Sequence, residues 1–209
     1  LLRLYWDPPV FAFDPFGGYF PGPIYDEAMR PPVRLMWFRL ANLLWVTTAV
    51  AVYLTVRELF RSGVAQPALR RHGAAIVTAT LVCGSLAVYS ARGRIGFAID
   101  KTSLLETLRR ETRSDHFVVH TDPTAGDSEK NLDLVHADLE FRYHQLKETL
   151  GVEPGGPVEV YLFASTASKK DLVGAGGTLY AKPWMREIFL QTDRFPAGRL
   201  RHELAHVFA

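Results

Sequence analysis

The stretch from Val158 to Ala181, VEVYLFASTASKKDLVGAGGTLYA, decides the fold. Val158–Ala164, apolar or aromatic at every position but Glu159, reads as a strand. Ser165 follows in the position of a helix N-cap, and a short helix is expected to run to about Val173. Gly174, Gly176 and Gly177 break that helix. Thr178–Ala181 and Glu187–Gln191 are two further strand candidates about a turn at Lys182-Pro183. Strand, helix, strand and strand in succession imply a sheet with at least one helix laid on it.

Upstream of this stretch the pattern continues. Glu129–Leu150 is the clearest helix, because Leu132, Val135, Leu139, Tyr143, Leu146 and Leu150 recur at steps of three and four. Asp127 or Ser128 suits its start and Gly151 its C-terminal turn. Phe117–Thr121 reads as a strand, and Thr102–Thr112 as a short amphipathic helix through Leu104, Leu105 and Leu108. Downstream, Pro196 fits the first turn of a last helix that runs through Arg199. Residues 98–209 are therefore expected to form an α+β domain in the order helix, strand, helix, strand, helix, strand, strand, helix.

The first half differs in kind. Leu40–Val56 is a run of 17 uncharged residues between Arg39 and Arg57, and Gly73–Ala91 a run of 19 between His72 and Arg92. A bilayer core needs about 20 apolar residues, within a range of about 17–25, so both runs are expected to span a membrane inside a region covering 34–97. The loop at 57–72 carries Arg57, Arg61, Arg70 and Arg71 against Glu58 alone, which points that loop to the cytoplasm and the flanking segments outward. Residues 1–33 hold prolines at 8, 9, 15, 21, 23, 31 and 32 among eight aromatic residues. That spacing forbids a long helix, and the aromatic density suggests an extended segment at a membrane surface.

The 209 residues carry a net charge of +2, distributed unevenly. Residues 1–101 hold 11 Lys/Arg against 6 Asp/Glu, and residues 102–209 hold 13 against 16. The basic excess flanks the apolar runs, while the folded half is mildly acidic, which argues against a nucleic-acid surface. A single cysteine, Cys83, excludes an intrachain disulfide and a cysteine-built zinc site. The chain opens on Leu1 and stops three residues after His206, so it is expected to be a piece of a longer protein.

The chemistry lies in the last helix, at His202-Glu203-Leu204-Ala205-His206. Two histidines four apart share a helix face, at a Cβ separation of about 5–6 Å, and can meet on one metal ion. A catalytic zinc takes about three protein ligands and a water whose pKa it lowers towards roughly 7. Glu203 stands one step round the helix, where a carboxylate can take a proton from that water and return it to a leaving amine. Zn2+ is the expected cofactor, and amide hydrolysis the expected reaction. The sequence offers no third ligand. A peptide substrate can add to a sheet as an extra strand, and Gly176, Gly177, Thr178 and Leu179 are candidates to meet it, since glycine admits close backbone approach. His136, Glu140 and His144 share a helix face opposite the Leu132–Leu150 stripe and read as a solvated polar face. His116 and His120 bracket a strand with no evident partner.

From about Phe117 to Ala209 the chain resembles the N-terminal part of the gluzincin-type peptidase MA domain, the thermolysin and aminopeptidase clan. The carrying residues are the Val158–Ala164 strand, Gly174–Ala181, Ile188–Gln191 and the HELAH core. Phe13–Gly22 and the apolar runs are similar to bacterial polytopic membrane proteins that end in such a domain. The resemblance implies a zincin-like mixed sheet, His202 and His206 as zinc ligands, Glu203 as base, and a glutamate on a following helix as third ligand. These 209 residues alone are accordingly expected to be inactive. Gly174-Ala175-Gly176-Gly177 lacks the glutamate of the Gly-Ala-Met-Glu-Asn segment that marks the aminopeptidases. The expected protein is a membrane-anchored metallopeptidase acting on peptides or proteins outside the cytoplasm, with a lipid bilayer and no nucleic acid among its partners. The alternative is a membrane scaffold or transporter accessory whose peptidase-like domain only binds.

Overall fold

The computed structural model describes residues 2–22, 33–61, 68–124, 129–192 and 198–209. In chain order the elements are α1 (Leu2–Trp6), β1 (Phe11–Asp14), β2 (Gly18–Pro21), α2 (Arg34–Arg61), α3 (Ala68–Ser90), α4 (Arg92–Ile95) and α5 (Lys101–Thr107). Then come β3 (Arg110–Arg113), β4 (Phe117–Thr121), α6 (Glu129–Leu150), β5 (Val158–Phe163) and α7 (Thr166–Val173). A 3-10 turn over Pro183–Met185 separates β6 (Tyr180–Lys182) from β7 (Glu187–Gln191), and α8 (Leu200–Phe208) closes the order. The chain divides into two compact units.

One unit contains α2 and α3. Their 28 and 23 residues extend about 42 and 35 Å at 1.5 Å per residue, against a hydrocarbon core of about 30 Å. Arg34–Phe60 and His72–Ser90 are long and apolar enough to cross a membrane, with mean hydropathies of 1.5 and 1.6. Leu43, Val46, Val50, Tyr53, Ile76, Val77 and Leu86 stand exposed on them, an apolar surface that water does not favour. The hydroxyls that interrupt these runs join the helices. Thr48 Oγ1 lies 2.8 Å from Ser85 Oγ, and Thr55 Oγ1 lies 2.8 Å from Thr78 Oγ1. The residue numbers of each pair sum to the same total, as an antiparallel hairpin requires. Thr48 also donates to the carbonyl of Leu44 at 2.8 Å. Polar groups spent on helix–helix contact and on backbone carbonyls do not face the surroundings. The basic segment expected as a loop over 57–72 is shorter, because Arg57 and Arg61 belong to α2, and Arg70 and Arg71 to α3.

The second unit holds α1, α5 to α8 and a five-stranded sheet in the order β3-β4-β5-β7-β6. β4, β5 and β7 run parallel, with antiparallel β3 and β6 at the two edges. Alternate residues build two cores. Val158, Val160, Leu162, Ile188 and Leu190 face one side with the α6 stripe and with Leu200 and Leu204 of α8. Tyr161, Phe163 and Phe189 face the other side with Leu104 of α5, Leu108 just after it, and Val173 of α7. Parallel strands covered on both faces carry apolar residues almost without interruption, and β4 and β7 are buried throughout. The α+β class expected from sequence is the class observed.

Several boundaries differ from the sequence reading. The helix expected over 102–112 ends at Thr107, and Arg110–Arg113 is a strand that was not foreseen. Asp100 caps the helix, accepting from the backbone N–H of Ser103 at 2.8 Å. Ser165 caps α7 as expected, accepting from Ser168 N–H at 3.1 Å, and Gly174 ends it at φ +90°. Leu150, placed in the α6 stripe, is exposed, whereas the rest of the stripe is buried. The proposed caps Asp127 and Ser128 and the helix-opening Pro196 lie outside the described residues. Residues 1–33 do not act as one segment, because Leu2–Phe11 belongs with the sheet. There the Tyr5 ring stacks on Trp184 at 4.4 Å, and Trp184 Nε1 donates to the carbonyl of Tyr5 at 3.0 Å. Tyr180 Oη donates to the carbonyl of Pro8, also at 3.0 Å.

Candidate metal centre

The apolar residues of α8 recur so that one face can be buried. Leu200, Leu204, Val207 and Phe208 enter the core. At about 100° per residue, His202 and His206 fall on the opposite side, where both are exposed. Their Nε2 atoms lie 3.1 Å apart, with ring centroids at 4.7 Å and planes at 86°. Two zinc–nitrogen bonds of about 2.0–2.1 Å at a tetrahedral angle set two nitrogens about 3.3 Å apart. The two rings therefore fit a single ion with little movement, and neutral imidazole nitrogen is a ligand zinc accepts. Among the described residues no third histidine, cysteine or carboxylate is gathered onto this pair.

Glu203 lies between the exposed and buried faces. Burial raises its carboxyl above the usual range, while the neighbouring His202 and His206 and the cations of Lys169 and Arg199 work in the opposite direction. Lys169 is fully buried, a rare state for an ammonium. It is held by donation to the Thr178 carbonyl at 2.6 Å and to Gln191 Oε1 at 3.0 Å. α8 packs along β6, the edge strand, and along the 3-10 turn that follows it.

The glycine-rich segment before β6 makes its close approaches within the domain. A Cβ on Gly176 would lie 2.7 Å from the Thr166 carbonyl and 3.0 Å from Lys170 Cβ. Leu179 is buried in the core beneath α8. Gly177 and Thr178 are half-buried, and the carbonyl of Thr178 is the acceptor of Lys169. Of the four residues expected to meet a substrate, Gly177 and Thr178 keep some accessible surface, while Gly176 and Leu179 serve packing.

The histidines read as partnerless have partners. His120 Nε2 lies 2.5 Å from Glu159 Oε2 and the ring stacks on Tyr161 at 5.4 Å. His116 Nδ1 lies 2.7 Å from Glu140 Oε2, and the His116 backbone N–H donates to Glu140 Oε1 at 2.9 Å. Burial pushes the Glu140 carboxyl up, but the hydrogen bonds it accepts carry it below the usual carboxylate range. His144 stands edge-on to His116 at 5.5 Å. His136 turns instead to Thr112 Oγ1 at 2.9 Å. The α6 face read as a solvated polar surface is thus partly engaged with the strands below it. The signal in the sequence was the i, i+4 pair Glu140 and His144; the third member lies 24 residues upstream of Glu140, beyond any local pattern.

No family model matches the chain, and comparisons with curated proteins and with solved structures return no match.

Proposed function

We propose that this chain is the membrane-anchored, zinc-binding part of a metallopeptidase that hydrolyses peptide bonds of peptides or proteins. The observation that carries the reading is the pair of His202 and His206 Nε2 atoms 3.1 Å apart on the exposed face of a helix whose other face is locked in the core. When bound, a zinc ion would supply an acidified water and a polarising charge for the substrate carbonyl. His202 and His206 would hold it. Glu203 takes up the proton released by the attacking water and delivers it to the departing amine. Burial of Glu203 favours that role, because it brings a carboxyl closer to the pH at which it can both accept and give a proton. The β6 edge beside α8 offers a backbone on which an extended peptide can lie as an added strand.

α2 and α3 anchor the protein in a bilayer as a hairpin. Arg57 and Arg61 near the end of α2, with Arg70 and Arg71 near the start of α3, favour the cytoplasmic side, so the other ends of the two helices, and with them the peptidase domain, lie outside the cytoplasm. The reading is tested on the full-length protein in detergent micelles by measuring bound zinc and hydrolysis of a denatured protein substrate. Glu203→Gln is expected to keep its zinc and to lose about 10²–10⁴-fold in rate. Undiminished hydrolysis by that variant would remove Glu203 from the mechanism.

A further inference from the structure

His116, Glu140 and His144 come from two elements of the sheet domain, the residue before β4 and successive turns of α6. One ligand atom from each lies within 4.8 Å of the other two. We propose that these three side chains form a second metal site, for a divalent cation of the zinc class, separate from His202 and His206. It clips α6 to the start of β4.

The donor set selects the ion. Two imidazoles and one carboxylate suit zinc and its neighbours, whereas calcium and magnesium take oxygen ligands. Each donor is already oriented. Glu140 Oε1 is fixed by the His116 backbone N–H at 2.9 Å, and Oε2 faces His116 Nδ1 at 2.7 Å. An ion seated between these two atoms needs them about 3.3 Å apart, from bonds of about 2.0–2.1 Å. A small χ rotation provides that opening. The His116 ring lies flat on Tyr143, with centroids 3.8 Å apart and planes within 21°. Backing of this kind holds a ligand ring in place. His144 is one helical turn beyond Glu140 and is exposed, so the ion enters from solvent and completes its shell with water.

A hydrogen-bonded His116–Glu140 pair has no need of a third group, and His144 is what distinguishes a metal site from such a pair. A clip at this point also reaches the first site indirectly. Tyr143 packs against Phe208 of α8, with centroids 5.0 Å apart. Fixing His116 to α6 therefore steadies one of the rings on which α8 rests.

The test uses the full-length protein in detergent micelles with His202→Ala and His206→Ala combined, stripped of metal and titrated with Zn2+ by calorimetry and with Co2+ by visible absorption. One equivalent is expected to remain in this double variant. Adding His144→Ala, at an exposed position that does not threaten folding, is expected to weaken that binding by at least about 10-fold. Glu140→Gln, which preserves shape, is expected to do the same with an unchanged near-ultraviolet circular dichroism spectrum. Absence of binding in the double variant overturns the proposal, as does an equivalent whose affinity neither further substitution alters. Neither result touches the assignment of His202 and His206, whose own equivalent is read in Glu140→Gln/His144→Ala.

Discussion

Gly174→Ala probes the contact between Phe11 and the end of α7 within the sheet unit. Gly174 ends α7 at φ +90°, a conformation that costs a residue with a Cβ about 1–2 kcal/mol. A steric cost adds to this, because the new Cβ would lie 2.4 Å from Phe11 Cδ1 and 2.9 Å from Phe11 Cε1. Overpacking of this kind costs typically about 1–3 kcal/mol. The expected loss is therefore about 2–5 kcal/mol, roughly 4 °C in Tm for each kcal/mol in a domain of this size. Phe11→Ala separates the two contributions. In that background Gly174→Ala should cost only the backbone share of about 1–2 kcal/mol, so the double variant loses less than the sum of the singles. Urea unfolding followed by near-ultraviolet circular dichroism reads all four proteins. Strict additivity would refute the contact between Phe11 and the α7 terminus.

Leu204→Ala empties a fully buried position beneath the histidine pair and is expected to cost about 2–5 kcal/mol in urea unfolding and to weaken zinc binding, whereas a loss below about 1 kcal/mol would mean that α8 is not docked as described. The hydrogen bond to His120 holds the Glu159 carboxyl below its ordinary value of 4.5 despite the opposing effect of burial. A depressed carboxyl contributes stability that is present above the unfolded value and fades as the pH falls through the folded one. Glu159→Gln should therefore lose about 1 kcal/mol at pH 7, after allowance for solvent screening, and converge with the parent protein as acid protonates the folded-state carboxyl. A gap that widens on acidification contradicts that pairing. Between α2 and α3, Thr48→Val combined with Ser85→Ala removes one interhelical hydrogen bond of about 0.6–2 kcal/mol, and a cycle of single and double variants unfolded in detergent should recover that coupling.

Much of the sheet domain was legible because its elements advertise their period. The α6 stripe repeats at three and four, and β5 and β7 are mostly apolar because helices cover both faces, with Glu159, Glu187 and Gln191 as the polar exceptions. β3 escaped notice for the opposite reason. Arg110-Glu111-Thr112-Arg113 has no apolar residue, and as an edge strand it needs none; charge there discourages a further strand from pairing. The helix before it was overrun because Leu108 continues the apolar spacing, although the helical hydrogen bonds end at its own N–H, which donates to Leu104. The histidine pair on α8 was legible because its geometry is local, four residues on one helix. The trio of His116, Glu140 and His144 was not, since it depends on how α6 lies over β4. Nor did the aromatic, proline-rich start of the chain disclose that its first residues dock on Trp184 and Tyr180, because composition carries no information about a partner 170 or more residues away.

The central claim is that one divalent cation sits between His202 and His206. X-ray absorption at the zinc edge, on the zinc-loaded Glu140→Gln/His144→Ala protein, addresses it most directly. The account predicts one equivalent with two imidazole ligands at about 2.0–2.1 Å, abolished by His202→Ala. A spectrum without imidazole scattering, or one that His202→Ala leaves unchanged, would contradict it.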